Sequence, residues 1–141
     1  MDRDVKRSTR RVGVRLLALG MAGVCATVSA LAAPPASAER EIQALLATLQ
    51  ASPCRFQRNG TWYPAAQAEE HLRRKYAYLR KRALAASAEQ FIERGASRSS
   101  VSGQAYRVAC PGQPEQDAAA WFTQQLAVLR RHAVSAAPRP D

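Results

Sequence analysis

His71, Lys75 and Arg82 stand at i, i+4 and i+11 of a segment with helical periodicity, with Tyr78 between them at i+7. At about 100° per residue these four share one edge of a helix. Together with Arg58, and with the hydroxyls of Ser99, Ser100 and Ser102, they would concentrate hydrogen-bond donors of the kind that hold a carboxylate or phosphate. The plainer alternative is a solvated flank whose basic stems cover the core while their heads pair with Glu69, Glu70 or Glu89. Asn59 and Glu89 join the candidates, each with a structural alternative: Asn59 as a turn residue, Glu89 as a first-turn helix acid. One of the serines with His71 as base and Glu89 or Glu93 as orienting carboxylate would supply the types for a hydrolase. No spacing specifies such a triad, and Ser-Ser-Val-Ser-Gly is more simply a connector whose hydroxyls bond local backbone.

Other chemistry is poorly served. His71 and His132 are the only histidines, and no carboxylate stands three or four residues after His71, so neither metal nor cofactor is expected. Cys54 and Cys110 lack the Cys-x-x-Cys spacing of a redox dithiol. The triplets Arg73-Arg74-Lys75 and Arg80-Lys81-Arg82 are seven apart and spread into three columns, so they form no single stripe for nucleic acid. Nucleic acid is therefore not the expected partner.

The N-terminus accounts for much of the charge. Six basic residues precede Leu16, an uncharged stretch runs from Leu16 to Ala33, and Ala36-Ser37-Ala38 precedes Glu39. This is the order of an export signal, with cleavage expected after Ala38. Thr9-Arg10-Arg11-Val12-Gly13-Val14 is similar to a twin-arginine signal, with Gly13 and Val14 in place of its bulky apolar pair, and leaves both export routes open. Removing residues 1–38 takes the net charge from +10 to +6, with 15 basic and 9 acidic residues left. It also removes Cys25, leaving Cys54 and Cys110 as an even pair in an oxidising compartment, where a disulfide between them is expected.

The elements that must position these residues follow from periodicity. The chain of 141 residues is 47% hydrophobic, too apolar for a disordered polycation and short enough for one domain. Ile42, Leu45, Leu46 and Leu49 predict a helix from Glu39 to Ser52-Pro53. Cys54 through Tyr63 reads as a hairpin around an Asn59-Gly60 type I′ turn, with Trp62 and Tyr63 as cross-strand core residues. Pro64 is expected to open a helix of about 20 residues whose buried stripe is Ala65, Ala68, Leu72, Tyr76, Leu79 and Ala83. Ser87 with Gln90 caps a short helix carrying Phe91 and Ile92. After the polar connector Ser97 to Gly103, the alternation of Tyr106, Val108 and Cys110 predicts a strand. Asp117 is expected to cap a last helix with Trp121, Phe122, Leu126 and Leu129 inward, and residues 133–141 to form a tail. The fold class is α+β: about four helices on a small antiparallel sheet, a hairpin plus one strand, with one disulfide, in a single domain over 39–132.

Several polar residues recur within this framework at family-like spacing: Phe56-Gln57-Arg58-Asn59-Gly60, Ala68 through His71-Leu72 to Lys75, Ala88-Glu89-Gln90-Phe91-Ile92, Ser99-Ser100-Val101-Ser102-Gly103 and Tyr106-Arg107-Val108. They resemble the small exported proteobacterial proteins of domain-of-unknown-function family 5329, over about residues 39–131. The resemblance implies export and a one-domain fold and brings no substrate. The expected function is that of a periplasmic or secreted binding or interaction protein, with no transmembrane segment after cleavage. Its basic helix edge suits an anionic envelope ligand or a partner protein, and a Ser/His hydrolase acting on an envelope substrate is the alternative.

Overall fold

A computed structural model describes residues 36–136, and the export signal expected over 1–38 lies almost wholly outside them. The chain runs α1 (Ala36–Ala51), β1 (Arg55–Arg58), β2 (Thr61–Pro64), α2 (Ala65–Lys81), and α3 (Ala88–Phe91) continuing into a π-helical turn (Ile92–Ala96). It ends with β3 (Arg107–Ala109), β4 (Gln116–Asp117) and α4 (Ala118–Ser135). The α+β class holds, with all four strands antiparallel in the order β2-β1-β3-β4.

Side chains alternate across a strand, so Cys54, Phe56 and Arg58 share the sheet face turned toward the helices. Phe56 is buried, opposes Tyr63 on β2 and Val108 on β3, and meets Trp121 of α4 edge-on at a 5.3 Å centroid separation. Ile42, Leu45, Leu46 and Leu49 of α1 are fully buried, joined by Leu72, Tyr76 and Leu79 of α2 and by Phe91 and Phe122. Helices thus supply most of this core. The Cys54–Cys110 disulfide is present, and continuing the β1–β3 register one step past Arg55↔Ala109 brings these two residues opposite each other.

Several expectations need correction. Pro64 closes β2, where it pairs with Arg55, and α2 starts one residue later at Ala65. Trp62 and Tyr63 are both half-exposed, because neighbours on a strand face opposite sides and cannot both enter one core. Ala83 is not part of the α2 stripe; it is a left-handed residue (φ 54°) beyond the helix end. The strand β4 was not expected, and Asp117 caps α4 without a side-chain hydrogen bond because its carboxylate accepts from Arg107 Nη1 at 2.5 Å instead. The first turn of α1 begins at Ala36 rather than Glu39, with Ala38 buried. At the other end α4 continues through Ser135, so residues 133–135 are helical rather than tail, and 137–141 lie outside the described residues.

Candidate functional site

Arg58 is the last residue of β1, two positions beyond Phe56 and on the same face, so its side chain leaves the sheet on the helix side where the apolar core ends. Tyr106 stands in the corresponding place beside β3, two residues before Val108, and the β1–β3 register carried past Gln57↔Arg107 sets it opposite Arg58. From α2, His71 and Lys75 project one turn apart beside the buried residues Leu72 and Tyr76.

These four side chains form a connected row. Arg58 Nη1 lies 2.7 Å from His71 Nδ1, His71 Nε2 lies 3.2 Å from the Tyr106 hydroxyl, and Lys75 Nζ reaches that hydroxyl at 3.4 Å. A guanidinium only donates, so Nδ1 must accept and the ring proton sits on Nε2, from which it is donated to Tyr106. The Tyr106 oxygen therefore accepts from both His71 and Lys75, and its own O–H is left to donate elsewhere. Arg58 also stacks over Tyr63, with its guanidinium carbon 5.0 Å from the ring centroid, and donates weakly to the Tyr63 hydroxyl at 3.5 Å. Lys75 has a second bond, to the Arg98 carbonyl at 2.9 Å, and lies 5.0 Å over the Tyr106 ring.

The electrostatics follow from this crowding. Burial, then repulsion from Arg58, Lys75 and Arg74, lowers the His71 pKa to about 4. Burial, then Arg58, lowers that of Lys75 to about 8. Burial raises that of Tyr106, against a smaller lowering by Arg58. At neutral pH the row thus carries two positive charges on Arg58 and Lys75, a neutral imidazole and an intact phenol.

Five of the other basic residues are matched to carboxylates. Arg73 pairs with Glu69 and Arg74 with Glu70 one turn earlier on α2, Arg80 with Glu39, Arg107 with Glu115 and Asp117, and Arg130 with Glu41 and Glu89. The solvated-flank alternative therefore describes Arg73 and Arg74 and does not describe Lys75. Among the described residues, Arg58 and Lys75 are the two basic side chains that are partly buried yet have no carboxylate partner.

Six of the nine candidate residues come together. Arg58, Asn59, His71, Lys75, Ser99 and Ser100 line one depression of about 290 Å³, with Thr61, Tyr63 and Tyr106. Ser102 stands beside it and donates to Asn59 Oδ1 at 2.7 Å, which ties the hairpin turn to the connector. Asn59 (φ 50°) and Gly60 (φ 81°) supply the left-handed pair that the turn requires. Two candidates belong elsewhere. Arg82 follows the last residue of α2 and lies 3.8 Å over the exposed Tyr78 ring, a turn and more beyond Lys75. Glu89 bonds Arg130 at 2.6 Å on the side facing α4.

Ser99 is buried, and its hydroxyl accepts from the backbone N–H groups of Val101 and Ser102, both at 3.3 Å. His71 has Arg58 and Tyr106 on its two nitrogens, so no serine–histidine pair of the kind a hydrolase requires is assembled among the described residues. Tyr106 is the member that sequence reasoning missed. Its alternation with Val108 places it on the core face, and a tyrosine there needs a partner for its hydroxyl, which was the available signal. No group of three or more metal-ligating side chains occurs among the described residues.

Comparison with curated proteins and with solved structures gives no match. A family model does match, over residues 36–130, from the first turn of α1 into α4, and covers every side chain of the row. The chain belongs to the family of unknown function DUF5329.

Proposed function

We propose that the protein is an exported binding protein that holds an anion on the Arg58–His71–Tyr106–Lys75 row and does no covalent chemistry on it. The observation that carries this is the pair of partly buried cations without a carboxylate. Desolvating a charge is costly unless it is paired, so an anion entering this depression relieves a penalty already present in the folded protein. Two of the five Arg58 N–H groups are bonded, to His71 and to Tyr63, which leaves three with the Tyr106 O–H as a directional set of donors for a carboxylate or phosphate oxygen. Export is supported by the basic, apolar and small-x-small order of residues 1–38. It points to anionic envelope material as the source of the ligand.

The test is a thermal-shift and calorimetric panel on the oxidised protein with acetate, inorganic phosphate, peptidoglycan fragments and phospholipid headgroups at low and high salt. An anion should stabilise the protein, less at high salt. Arg58→Ala and Lys75→Ala should each weaken binding by about tenfold or more, the scale of a charge-assisted hydrogen bond. Equal binding by the parent and both variants would overturn the assignment. For export, the mass of the mature protein should correspond to a chain beginning at Glu39, and a mature chain retaining Arg3 to Arg15 would overturn it.

A further inference from the structure

The Arg58–His71–Tyr106 row has two sides. One is the polar depression already described. The other is a cavity of about 370 Å³ shared by the same three side chains, whose remaining wall is largely apolar: Phe56, Ala68, Leu72, Ala96, Ala118 and Phe122. Three of those are alanines from three different elements, α2, the π-helical turn and α4, and together they leave open a space at the edge of an otherwise filled core. Small-molecule sites typically measure about 300–1,000 Å³ and combine an apolar lining with a few polar groups that fix orientation. The exposed residues around this cavity are Gln67, Glu70 and Arg74, and the last two neutralise each other through their ion pair. Charge left unmatched on the cavity wall is therefore positive and belongs to Arg58.

We infer that the ligand is a small amphiphilic acid, with its carboxylate on Arg58 and the Tyr106 hydroxyl and an apolar chain of several carbons in the cavity walled by Phe56, Leu72 and Phe122. This rests on the anion-binding reading and adds the ligand's other end. An anion alone would leave the apolar cavity unused, and a neutral hydrocarbon would leave Arg58 and Lys75 uncompensated. A single chain carrying one charged head satisfies both sides of the row. Ala68, only partly buried at the cavity wall, is the position at which a larger side chain would occupy the chain's place.

Calorimetric titration of the oxidised protein with acetate, butyrate, hexanoate and octanoate tests this. Affinity should tighten about fourfold per added methylene until the cavity is full. Octanol, lacking the charge, should bind at least about tenfold more weakly than octanoate, the scale of one charge-assisted hydrogen bond. Octyl phosphate binding alongside octanoate would support the amphiphile with either head. Ala68→Leu should weaken octanoate while leaving acetate unchanged. Equal affinity from acetate to octanoate, still sensitive to Arg58→Ala, would overturn the apolar half and leave the anion site standing. Absence of binding by every carboxylate and by phosphate would overturn both.

Discussion

His71 is held neutral down to about pH 4, first by burial and then by Arg58, Lys75 and Arg74, and this has a sign that stability measurements read. In the unfolded chain its pKa returns to about 6.5, so between 6.5 and 4 the unfolded state binds the proton and the folded state does not. Stability should therefore fall as pH drops through that window and level off below it. Lys75 behaves in the same sense at higher pH. Its folded pKa of about 8 lies below the ordinary 10.5, so its penalty is fully present at pH 7 and fades as pH rises from 8 to 10.5. Binding has the opposite dependence, since an anion favours the charged lysine. Anion affinity should be flat from pH 6.5 to 7.5 and weaken above about 8; Lys75→Arg, which keeps its charge, should abolish that weakening. An alkaline limb that persists in Lys75→Arg would assign the titration to another group. His71 and Lys75 were legible in the sequence because they bordered an apolar helical stripe, and Arg58 because it stood in the hairpin expected to converge with them. Glu89 was misplaced because a charged helix residue has several possible partners, and only tertiary packing selects Arg130.

At the scale of elements, period and capping residues placed every helix, whereas the ends depended on contacts that no local pattern encodes. The end of α2 shows this. Leu84 N–H bonds the Leu79 carbonyl at 2.9 Å and Ala83 N–H that of Arg80 at 3.1 Å, the two bonds of a Schellman motif, with Ala83 in the left-handed position glycine usually fills. Alanine followed the α2 periodicity and so read as a further turn of helix. Its Cβ is strained at φ 54°, and Ala83→Gly should raise stability by about 0.5–1 kcal/mol after the extra entropy of the unfolded glycine is counted. Chemical denaturation checks it, and a loss of stability would show that the Ala83 methyl packs more favourably than its backbone is strained. The π-helical turn was equally hidden. It packs Gly95 so closely that an added Cβ would lie 3.0 Å from the Phe91 ring of α3 and 3.2 Å from Leu79 of α2. The two-residue strand β4 has no alternation to detect; it pairs with β3, and Arg107 of β3 reaches Glu115 and Asp117 beside that pairing.

For the whole molecule the decisive long-range link is Cys54–Cys110, across a sequence separation of 56. The bridge closes a loop that contains β1, β2, α2, α3 and β3, and its ends sit at the start of β1 and the end of β3, so it fastens the two central strands at the end opposite the Arg58–Tyr106 row. Both ends of the candidate site hang on the same two strands: Arg58 terminates β1 and Tyr106 precedes β3. Register between these strands therefore governs whether the two side chains face each other. Closing a loop of this length restricts the unfolded chain by about 4 kcal/mol in the chain-entropy account. That is a large share of the roughly 5–15 kcal/mol that stabilises a typical domain. Reduction is the cleanest test, because it leaves every side chain in place. Fully reduced protein should melt more than about 10 °C below the oxidised form, since one kcal/mol corresponds to roughly 4–8 °C in a domain of this size. Below its melting temperature the reduced protein should still bind the anion, because β1 and β3 also pair through Phe56↔Val108 and Gln57↔Arg107. A melting temperature unchanged after two thiols are counted would show that the sheet is held by its helices alone. Retained stability with lost binding would show instead that the disulfide sets the strand register on which the site depends.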